Sequence, residues 1–301
     1  MARQVCSKRG LFAAGAATCG RAAPTTLRLA EKTYSDEMLA SPGAKRCLPA
    51  FLNRLVSCRP MANAVIQLEQ VQKAFRTPAS ERVPILDVER FEVAAGEQVA
   101  LEGHSGSGKT TLLNVIAGIM RPDTGSVILD GIDLAKLPEA SRDRVRADRL
   151  GLVFQQFNLL PGFTAIENVL VAMAFSSHRP DRSRAEALLA SVGLAHRLSH
   201  KPAALSVGEQ QRVAVARALA NKPRVILADE PTASIDPGHQ QQVVDLLKRT
   251  CQDENVALVV VTHTPEVAAQ FARRVRIESF NRVLQRMAKP DAAAVSDGGE
   301  A

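Results

Sequence analysis

The segment GHSGSGKTT, Gly103–Thr111, constrains the fold of this chain more than any other segment. It matches the pattern G-x-x-x-x-G-K-[ST], in which glycines permit the tight turn that points successive backbone N–H groups at a polyphosphate. Lys109 would add positive charge beside the β- and γ-phosphates, and the Thr110 hydroxyl would be a ligand of Mg²⁺. A short apolar strand over Glu97–Glu102 and a helix from about Thr110 to Gly118 are predicted on either side, which is the context that this chemistry requires.

The charge of the chain is concentrated at its beginning. The 301 residues have a formal net charge of +7, and residues 1–60 carry ten basic and three acidic side chains, so the remainder is neutral. The body therefore offers no bulk basic surface for DNA or RNA. Four of the five cysteines also lie within residues 1–60, with a spacing that fits no zinc site, which leaves Cys251 alone in the body. This cysteine usage predicts a reducing, cytosolic setting without a disulfide framework.

Residues 1–60 show no sustained apolar periodicity and are predicted to be a disordered or mis-assigned extension. The favoured interpretation places the true start at Met61, just before the first credible strand, AVIQLEQV. A second is a disordered basic arm that contacts anionic lipid. A third is a targeting peptide, although the stretch LFAAGAATCG is short and rich in Ala and Gly for that purpose. Residues 288–301 are predicted to be a disordered tail.

No apolar segment of the sequence is as long as a transmembrane helix. A membrane-spanning helix needs about twenty mostly apolar residues, and the longest uninterrupted apolar run here is Val169–Phe175. A function at a membrane would therefore need a separate partner that spans it.

The run VILADEP, Val225–Pro231, is the second strong signal. Four apolar residues predict a buried strand, and two carboxylates stand at its end. Asp229 would hold Mg²⁺ directly or through water, and Glu230 would accept a proton from the attacking water or orient it. A strand that simply ends in solvated acids is the alternative, which the upstream phosphate-binding loop disfavours.

The segment LSVGEQQRVAVARALA, Leu205–Ala220, resembles the LSGGQ signature of the ATP-binding cassette (ABC) family. Ser206 and Gly208 stand at a helix N-terminus, and Ser206 with Glu209 also fits a capping box. The resemblance implies that this helix end faces the γ-phosphate of an ATP held by a second copy of the domain. Val207 replaces the first glycine of the signature, so the backbone there must be extended or helical. Glu209 stands where Gln is common and would add negative charge near the phosphate.

Further positions match the family in order along the chain. Gln155, rather than its neighbour Gln156, resembles the Q-loop glutamine that contacts Mg²⁺ and the attacking water. The stretch Ala233–Asp236 resembles the D-loop that crosses the dimer interface, and His263 resembles the switch histidine that contacts the γ-phosphate. Phe75 resembles the aromatic residue that stacks on adenine, and Thr111 would contact the α-phosphate.

The resemblance thus implies three overlapping sets of site residues, together with ATP and Mg²⁺ as ligands. The catalytic set is Glu230, His263, Gln155 and Lys109. The nucleotide-binding set is Phe75, Gly103, His104, Ser105, Gly106, Ser107, Gly108, Lys109, Thr110, Thr111, Ser206 and Gly208. The metal set is Thr110, Gln155 and Asp229.

The predicted fold is an α/β P-loop NTPase of the ABC nucleotide-binding type, over residues 61–287, with an antiparallel β part and an inserted helical subdomain at about 156–205. The antiparallel part is expected from Val65 to about Phe91. In the insertion, a capping box at Thr164–Glu167 would start a helix through Phe175, and a second helix would end near Gly193. After Ile277 the chain reads ESFNR where the family has an acidic-Gly turn, which puts the last hairpin in doubt.

The resemblance implies an ATP-hydrolysing subunit of an ABC transporter, active as a homodimer of ATPase domains. It would bind integral-membrane permease subunits on a separate chain and lie in the cytoplasm, peripheral to the inner face of the membrane. The run GLVFQQFNLLPGFTAIENV resembles the lipoprotein-releasing and macrolide-export group. Within it, Phe157–Phe163 would either form a groove for the membrane partner or pack inside the helical insertion, or do both.

Two other functions remain as alternatives. One is a non-transporting regulatory ABC ATPase of the cell-division type, which would also act through a membrane partner. The other is a nucleotide-binding module without hydrolysis, which the presence of Lys109, Asp229, Glu230 and His263 disfavours. The transported substrate and the identity of the permease are not encoded in the cassette.

Overall fold

The computed structural model describes residues 64–235 and 237–287. The predicted extension 1–60, the predicted tail 288–301 and the D-loop residue Asp236 lie outside the described residues. The strands are β1 (Ala64–Arg76), β2 (Arg82–Ala94), β3 (Gln98–Glu102), β4 (Thr124–Leu129), β5 (Ile132–Asp133), β6 (Leu150–Val153), β7 (Val225–Asp229), β8 (Ala257–Thr262) and β9 (Arg273–Arg276). The helices are α1 (Lys109–Ile116), α2 (Glu139–Arg149), α3 (Ala165–Ala174), α4 (Arg182–Ser191), α5 (Val207–Leu219), α6 (Pro237–Asp253), α7 (Pro265–Ala268) and α8 (Arg282–Met287).

The first sheet is the antiparallel part that the sequence predicts. Its strand order is β2-β1-β4-β5. On β1, the side chains of Ile66 and Leu68 are fully buried and alternate with less buried neighbours, because successive residues of a strand point to opposite faces. The two long strands form a hairpin that extends beyond the expected end near Phe91, to Ala94.

The second sheet is parallel, with the order β6-β7-β8-β3-β9. All six residues of β8 are buried, which explains its continuous apolar sequence, since both faces of a parallel sheet are usually covered. The carboxyl ends of β3, β7 and β8 meet at one edge of this sheet. This edge is the usual ligand site in α/β folds, and it carries the phosphate-binding loop, Asp229 at the end of β7 and His263 directly after β8.

The inserted helical subdomain consists of α3 and α4, which both contact α5. The capping box at the start of α3 is confirmed: the Thr164 N–H donates to Glu167 Oε2 at 2.8 Å, and the Glu167 N–H donates to Thr164 Oγ1 at 3.4 Å. None of the helices in the described part of the chain combines the length and the apolar character that a membrane crossing needs.

The segment after β9 forms a 3₁₀ turn at Ile277–Ser279 followed by α8, and not a hairpin. Asn281 attaches this segment to β2. Its Nδ2 donates to the Ile85 carbonyl at 2.8 Å, and its Oδ1 accepts from the Asp87 N–H at 3.0 Å. In place of a hairpin, the fully buried Asn281 joins this segment to β2 through side-chain hydrogen bonds and an isolated antiparallel bridge to Val88.

Gly151 of β6 lies against α5 with no room for a side chain. A Cβ at this position would be 2.4 Å from the Ala218 carbonyl oxygen. We expect Gly151→Ala to lower the free energy of unfolding by about 1–3 kcal/mol, because the strand or the helix must shift to relieve the overlap. Urea unfolding measures this change. Gly162→Ala, where a Cβ would meet no heavy atom within 4 Å, is the matched control; equal stability of the two variants would contradict the prediction.

Candidate nucleotide site

The phosphate-binding loop connects β3 to α1 and depends on glycine at several positions. Gly106 and Gly108 have φ angles of 79° and 89°, in the left-handed region that residues with a Cβ rarely adopt. At Gly103, a Cβ would lie 2.6 Å from the Ile277 side chain and 2.7 Å from Ser107 Oγ. The loop therefore keeps its backbone close to neighbouring groups and turns directly into the N-terminus of α1, where free N–H groups favour an anion.

Lys109 is the first residue of α1 and is only 7% exposed. Its Nζ donates to the carbonyl oxygens of Gly103 and His104, each at 2.7 Å. An ammonium group has three donors, so one remains beyond these two bonds. The Ser107 hydroxyl oxygen is buried and has no hydrogen-bond partner among the described residues. A buried cation and a buried unpaired hydroxyl in one loop suit an oxygen-rich anion such as a phosphate.

Thr110 and Asp229 meet although 119 positions separate them in the sequence. The Thr110 hydroxyl donates to Asp229 Oδ2 at 3.1 Å. The pKa of Asp229 is raised above 3.8 chiefly by burial, with a smaller contribution from the Glu230 charge, whereas the Thr110 hydrogen bond and the Lys109 charge lower it. A hydroxyl and a carboxylate side by side are oxygen ligands of the kind that Mg²⁺ takes, so these two residues fit the predicted metal.

Glu230 and His263 also come together. His263 Nδ1 lies 2.9 Å from Glu230 Oε1. Glu230 has a φ of 45°, which is uncommon for a residue with a side chain, and its N–H donates to the Val261 carbonyl at 2.9 Å. Backbone strain of this kind persists only where surrounding contacts hold it, and such places are often functional. The result is a carboxylate oriented by an imidazole at the end of β7.

A cleft of about 670 Å³ opens beside the loop, at the carboxyl edge of the parallel sheet. Its lining includes the predicted residues Gly103, His104, Ser105, Glu230 and His263, together with Glu102, Pro265, Arg276 and Glu278, which the sequence did not identify. Glu278 Oε1 accepts from the His104 N–H at 3.4 Å. The segment ESFNR, which departs from the family pattern, therefore contributes Glu278 to the site. That departure was the only feature of the sequence that pointed to Glu278.

Phe75 and Gln155 lie apart from this cluster. Phe75, near the end of β1, is 42% exposed, so its ring is available for stacking. The backbone next to it is held by Asp123, whose Oδ2 accepts from the Ala74 N–H at 2.9 Å. The Gln155 side chain is exposed, and its backbone carbonyl accepts from Ser234 Oγ at 3.2 Å. This bond connects the predicted Q-loop to the predicted D-loop.

Ser206 and Gly208 are not part of the cleft around the phosphate-binding loop. They line a separate groove between α4, α5 and α6, none of whose lining residues belongs to Gly103–Thr111. Ser206 is the N-cap of α5, and its capping box with Glu209 is confirmed. Val207 is helical, one of the two conformations expected for it.

The charge of Glu209 is balanced within the chain. The Ser206 N–H donates to Glu209 Oε2 at 2.8 Å, and Arg197 Nε donates to Glu209 Oε1 at 2.9 Å. These bonds lower the pKa of Glu209, with the Ser206 backbone bond as the largest cause. The carboxylate charge of Glu209 is therefore paired with Arg197, and the effect of Glu209 on a nearby phosphate stays a prediction.

The segment Phe157–Phe163 is partly packed and partly exposed. Asn168 of α3 is buried, accepts from the Leu160 N–H at 2.8 Å and donates to the Phe163 carbonyl at 3.2 Å. Leu159 packs against the core beneath, whereas the side chains of Leu160 and Phe163 are exposed. The predicted packing inside the helical insertion is thus present, and apolar side chains remain available on its surface.

The raised pKa of Asp229 predicts how its substitution affects stability. The Asp229 carboxyl binds its proton more tightly in the folded protein than in the unfolded chain. Ionisation of Asp229 therefore lowers the free energy of unfolding as the pH rises through the raised pKa. In EDTA, we expect Asp229→Asn to melt at a higher temperature than the wild type at pH 7, by a margin that shrinks as the pH falls towards 3.8.

The matched control is Asp123→Asn, which should have the opposite sign. The pKa of Asp123 is lowered, mainly by its hydrogen bond with Lys73, so its ionised form stabilises the fold above pH 3.8 and this contribution is lost on acidification. Thermal denaturation across pH measures both variants. A decrease in the melting temperature of Asp229→Asn at pH 7 would contradict the prediction.

Comparison with known proteins identifies the family. A family model described as "ABC transporter" matches residues 86–233. The lipoprotein-releasing system ATP-binding protein LolD 2 of Caulobacter vibrioides is 43% identical over 229 residues, which cover 75% of this chain and 100% of that protein. The macrolide export ATP-binding/permease protein MacB of Syntrophobacter fumaroxidans is 40% identical over 237 residues, which cover 77% of this chain but 32% of that protein.

Solved structures agree with this assignment. The dimeric structure of the ATP-binding cassette MJ0796 in a post-hydrolysis state, bound to ADP and Pi, matches with a TM-score of 0.64 and 38% identity, over 70% of this chain and 93% of that chain. The chain is 43% identical to LolD 2 along the whole length of that protein. It also has the phosphate-binding loop and the Glu230–His263 pair at one edge of the parallel sheet. This chain belongs to the ABC transporter family and is an ATP-binding cassette ATPase.

Proposed function

We propose that this ATPase drives a separate membrane permease of the lipoprotein-releasing or macrolide-export type, as a peripheral subunit on the cytoplasmic face. The observation that carries the proposal is the cluster of Lys109, Thr110, Asp229, Glu230 and His263 at the carboxyl edge of the parallel sheet. Alignment with LolD 2 along its full length supports the choice of group. In MacB the cassette is about a third of a protein whose name also includes a permease.

Glu230 is the proposed general base. Its Oε1 is held by His263 at 2.9 Å, which leaves the second carboxylate oxygen to accept a proton from, or orient, the attacking water. The histidine would contact the γ-phosphate on the same side. Gln155 would complete the water and metal contacts when its exposed side chain turns inwards, and its bond to Ser234 supports a coupled movement of these two loops.

The phosphates would bind to Lys109, to the loop N–H groups of residues 105–111 and to the N-terminus of α1. These groups would also stabilise the negative charge of the transferred phosphoryl group. The ligands proposed for Mg²⁺ are Thr110, Asp229 and Gln155. Bound there, Mg²⁺ would neutralise charge on the β- and γ-phosphate oxygens. Phe75 is proposed to stack on adenine, which its exposure at the end of β1 supports.

A second copy of the chain is proposed to complete each site. Ser206 and Gly208 lie on a groove away from the phosphate-binding loop of their own chain, so they would contact a nucleotide only across an interface. The Ser206 hydroxyl accepts from the Glu209 N–H at 3.2 Å, and its own proton, which interacts with the Glu209 carboxylate here, would turn to the phosphate. The loop Ala233–Asp236 would cross the same interface. MJ0796, which aligns over 93% of its chain, is dimeric with ADP and Pi.

The membrane partner is proposed to dock on the surface formed by Leu160 and Phe163. These exposed apolar side chains lie in the segment that follows Gln155, so movement of the Q-loop would shift the surface to which a partner binds. Arg217 of α5 supports the connection, because it donates to the Phe157 and Asn158 carbonyls at 2.8 and 2.6 Å.

The test is to isolate tagged Glu230→Gln protein from native membranes with ATP and Mg²⁺ and to identify its partners by mass spectrometry. We expect a polytopic permease with a large extracytoplasmic domain. Leu160→Ser/Phe163→Ser in the same background should lose that partner while still binding ATP. A cell-wall regulator as partner would instead favour the cell-division type of function. Absence of any membrane protein from the isolated sample would contradict the proposal.

A further inference from the structure

Gln211 lies on α5, five residues after Ser206, and its side chain is fully buried. Its Nε2 donates to the Pro231 carbonyl at 3.1 Å. Its Oε1 has no partner among the described residues, so the amide gains one hydrogen bond at the cost of burying a second polar atom. An apolar side chain of the same size would pack there without that cost.

Pro231 directly follows Glu230, whose φ of 45° must be held by its surroundings. Two of the contacts that hold it come from the backbone: the Glu230 N–H donates to Val261, and the Glu230 carbonyl accepts from the Ala233 N–H at 3.1 Å. The Gln211 bond holds the carbonyl of the next residue, Pro231, and it comes from α5, the helix that begins at the signature segment. A change in the position of α5 therefore acts on the backbone of Glu230 through this amide.

We propose that Gln211 is a positioning residue that couples the signature end of α5 to the catalytic carboxylate Glu230 of the same chain. The inference rests on the proposed dimer, in which Ser206 contacts the nucleotide held by the second copy. Occupancy of one site then affects the orientation of Glu230 in the other site, because Ser206 caps the helix that carries Gln211. ATP binding itself does not involve Gln211, because its buried side chain is not among those that line the cleft.

The test is Gln211→Met, which keeps a long side chain of similar volume and removes the donor. We expect kcat for ATP hydrolysis to fall roughly tenfold or more with KM for ATP nearly unchanged, because a misplaced catalytic group affects turnover and not binding. The Hill coefficient for ATP should also fall towards 1. In a Glu230→Gln background, Gln211→Met should still dimerise with ATP, which places its effect at the hydrolysis step.

Gln98→Met is the matched control, because Gln98 Nε2 also donates to a backbone carbonyl, that of Lys248, at 2.9 Å, away from the site. It should retain wild-type kcat and Hill coefficient. If Gln211→Met does not fold, Gln211→Leu takes its place. Wild-type kcat and cooperativity in a folded Gln211 variant, with only a lower melting temperature, would overturn the inference while leaving the proposed function intact. A wild-type protein that neither hydrolyses ATP nor dimerises would contradict the proposed function as well.

Discussion

Glu230→Gln is expected to bind ATP normally and to lose most of its turnover. The amide oxygen of glutamine can still accept from His263, so the local geometry at 2.9 Å is retained. The amide cannot take a proton from water, which removes general-base catalysis. Loss of that contribution slows hydrolysis roughly 10²-fold or more.

Phosphate release at saturating ATP and Mg²⁺ measures the turnover, and equilibrium titration with ATP in EDTA measures binding. Glu186→Gln is the matched control, because Glu186 is a partly exposed carboxylate on α4 whose ion pair within the described residues is with Arg182. It should hydrolyse ATP at the wild-type rate. Near-normal steady-state hydrolysis by Glu230→Gln would exclude Glu230 as the base.

Lys109→Met is expected to weaken ATP binding itself. The variant loses the positive charge of the loop, together with the two bonds from Nζ to the Gly103 and His104 carbonyls. Hydrogen bonds that involve a charged group contribute about 1.5–3 kcal/mol, so the Kd for ATP should rise about 10- to 100-fold. Hydrolysis should fall further, because the same charge stabilises the transferred phosphoryl group.

The apolar methionine suits a position that is only 7% exposed, so the variant is expected to remain folded, and thermal denaturation checks this. Lys136→Met is the control, because Lys136 is largely exposed and its ion pair in the described part of the chain is with Asp133. An unchanged Kd for ATP in folded Lys109→Met protein would be incompatible with the proposed role. Together the two substitutions separate turnover, which depends on Glu230, from binding, which depends on Lys109.

Features that depend on nearby residues were predictable from the sequence. The glycines of Gly103–Thr111 specify a tight loop because only they adopt its left-handed angles, and Thr164 with Glu167 specifies a helix start because the two side chains reach each other's backbone N–H groups. The continuous apolar sequence of β8 is likewise typical of a strand whose two faces are both covered.

Contacts between distant segments were not predictable in the same way. Asn281 bonds to β2 where the last hairpin was in doubt, Glu278 accepts from the His104 N–H, and Arg197 forms an ion pair with Glu209. Each contact joins residues whose proximity depends on how helices and strands pack. Neither the residue types nor their spacing indicates which partner a polar side chain will meet.

The sequence by itself therefore determined the family and the ATPase activity, and it proposed the site residues, because the motifs that carry this information are short segments with local geometry. Only the tertiary structure decided that Asp229 meets Thr110, that His263 orients Glu230, that Gln211 holds the adjoining Pro231 and that Ser206 lies outside its own site. The physical reason is that these arrangements depend on the packing of α5 and β8 beside β7, and packing is set by the whole core and not by any one segment.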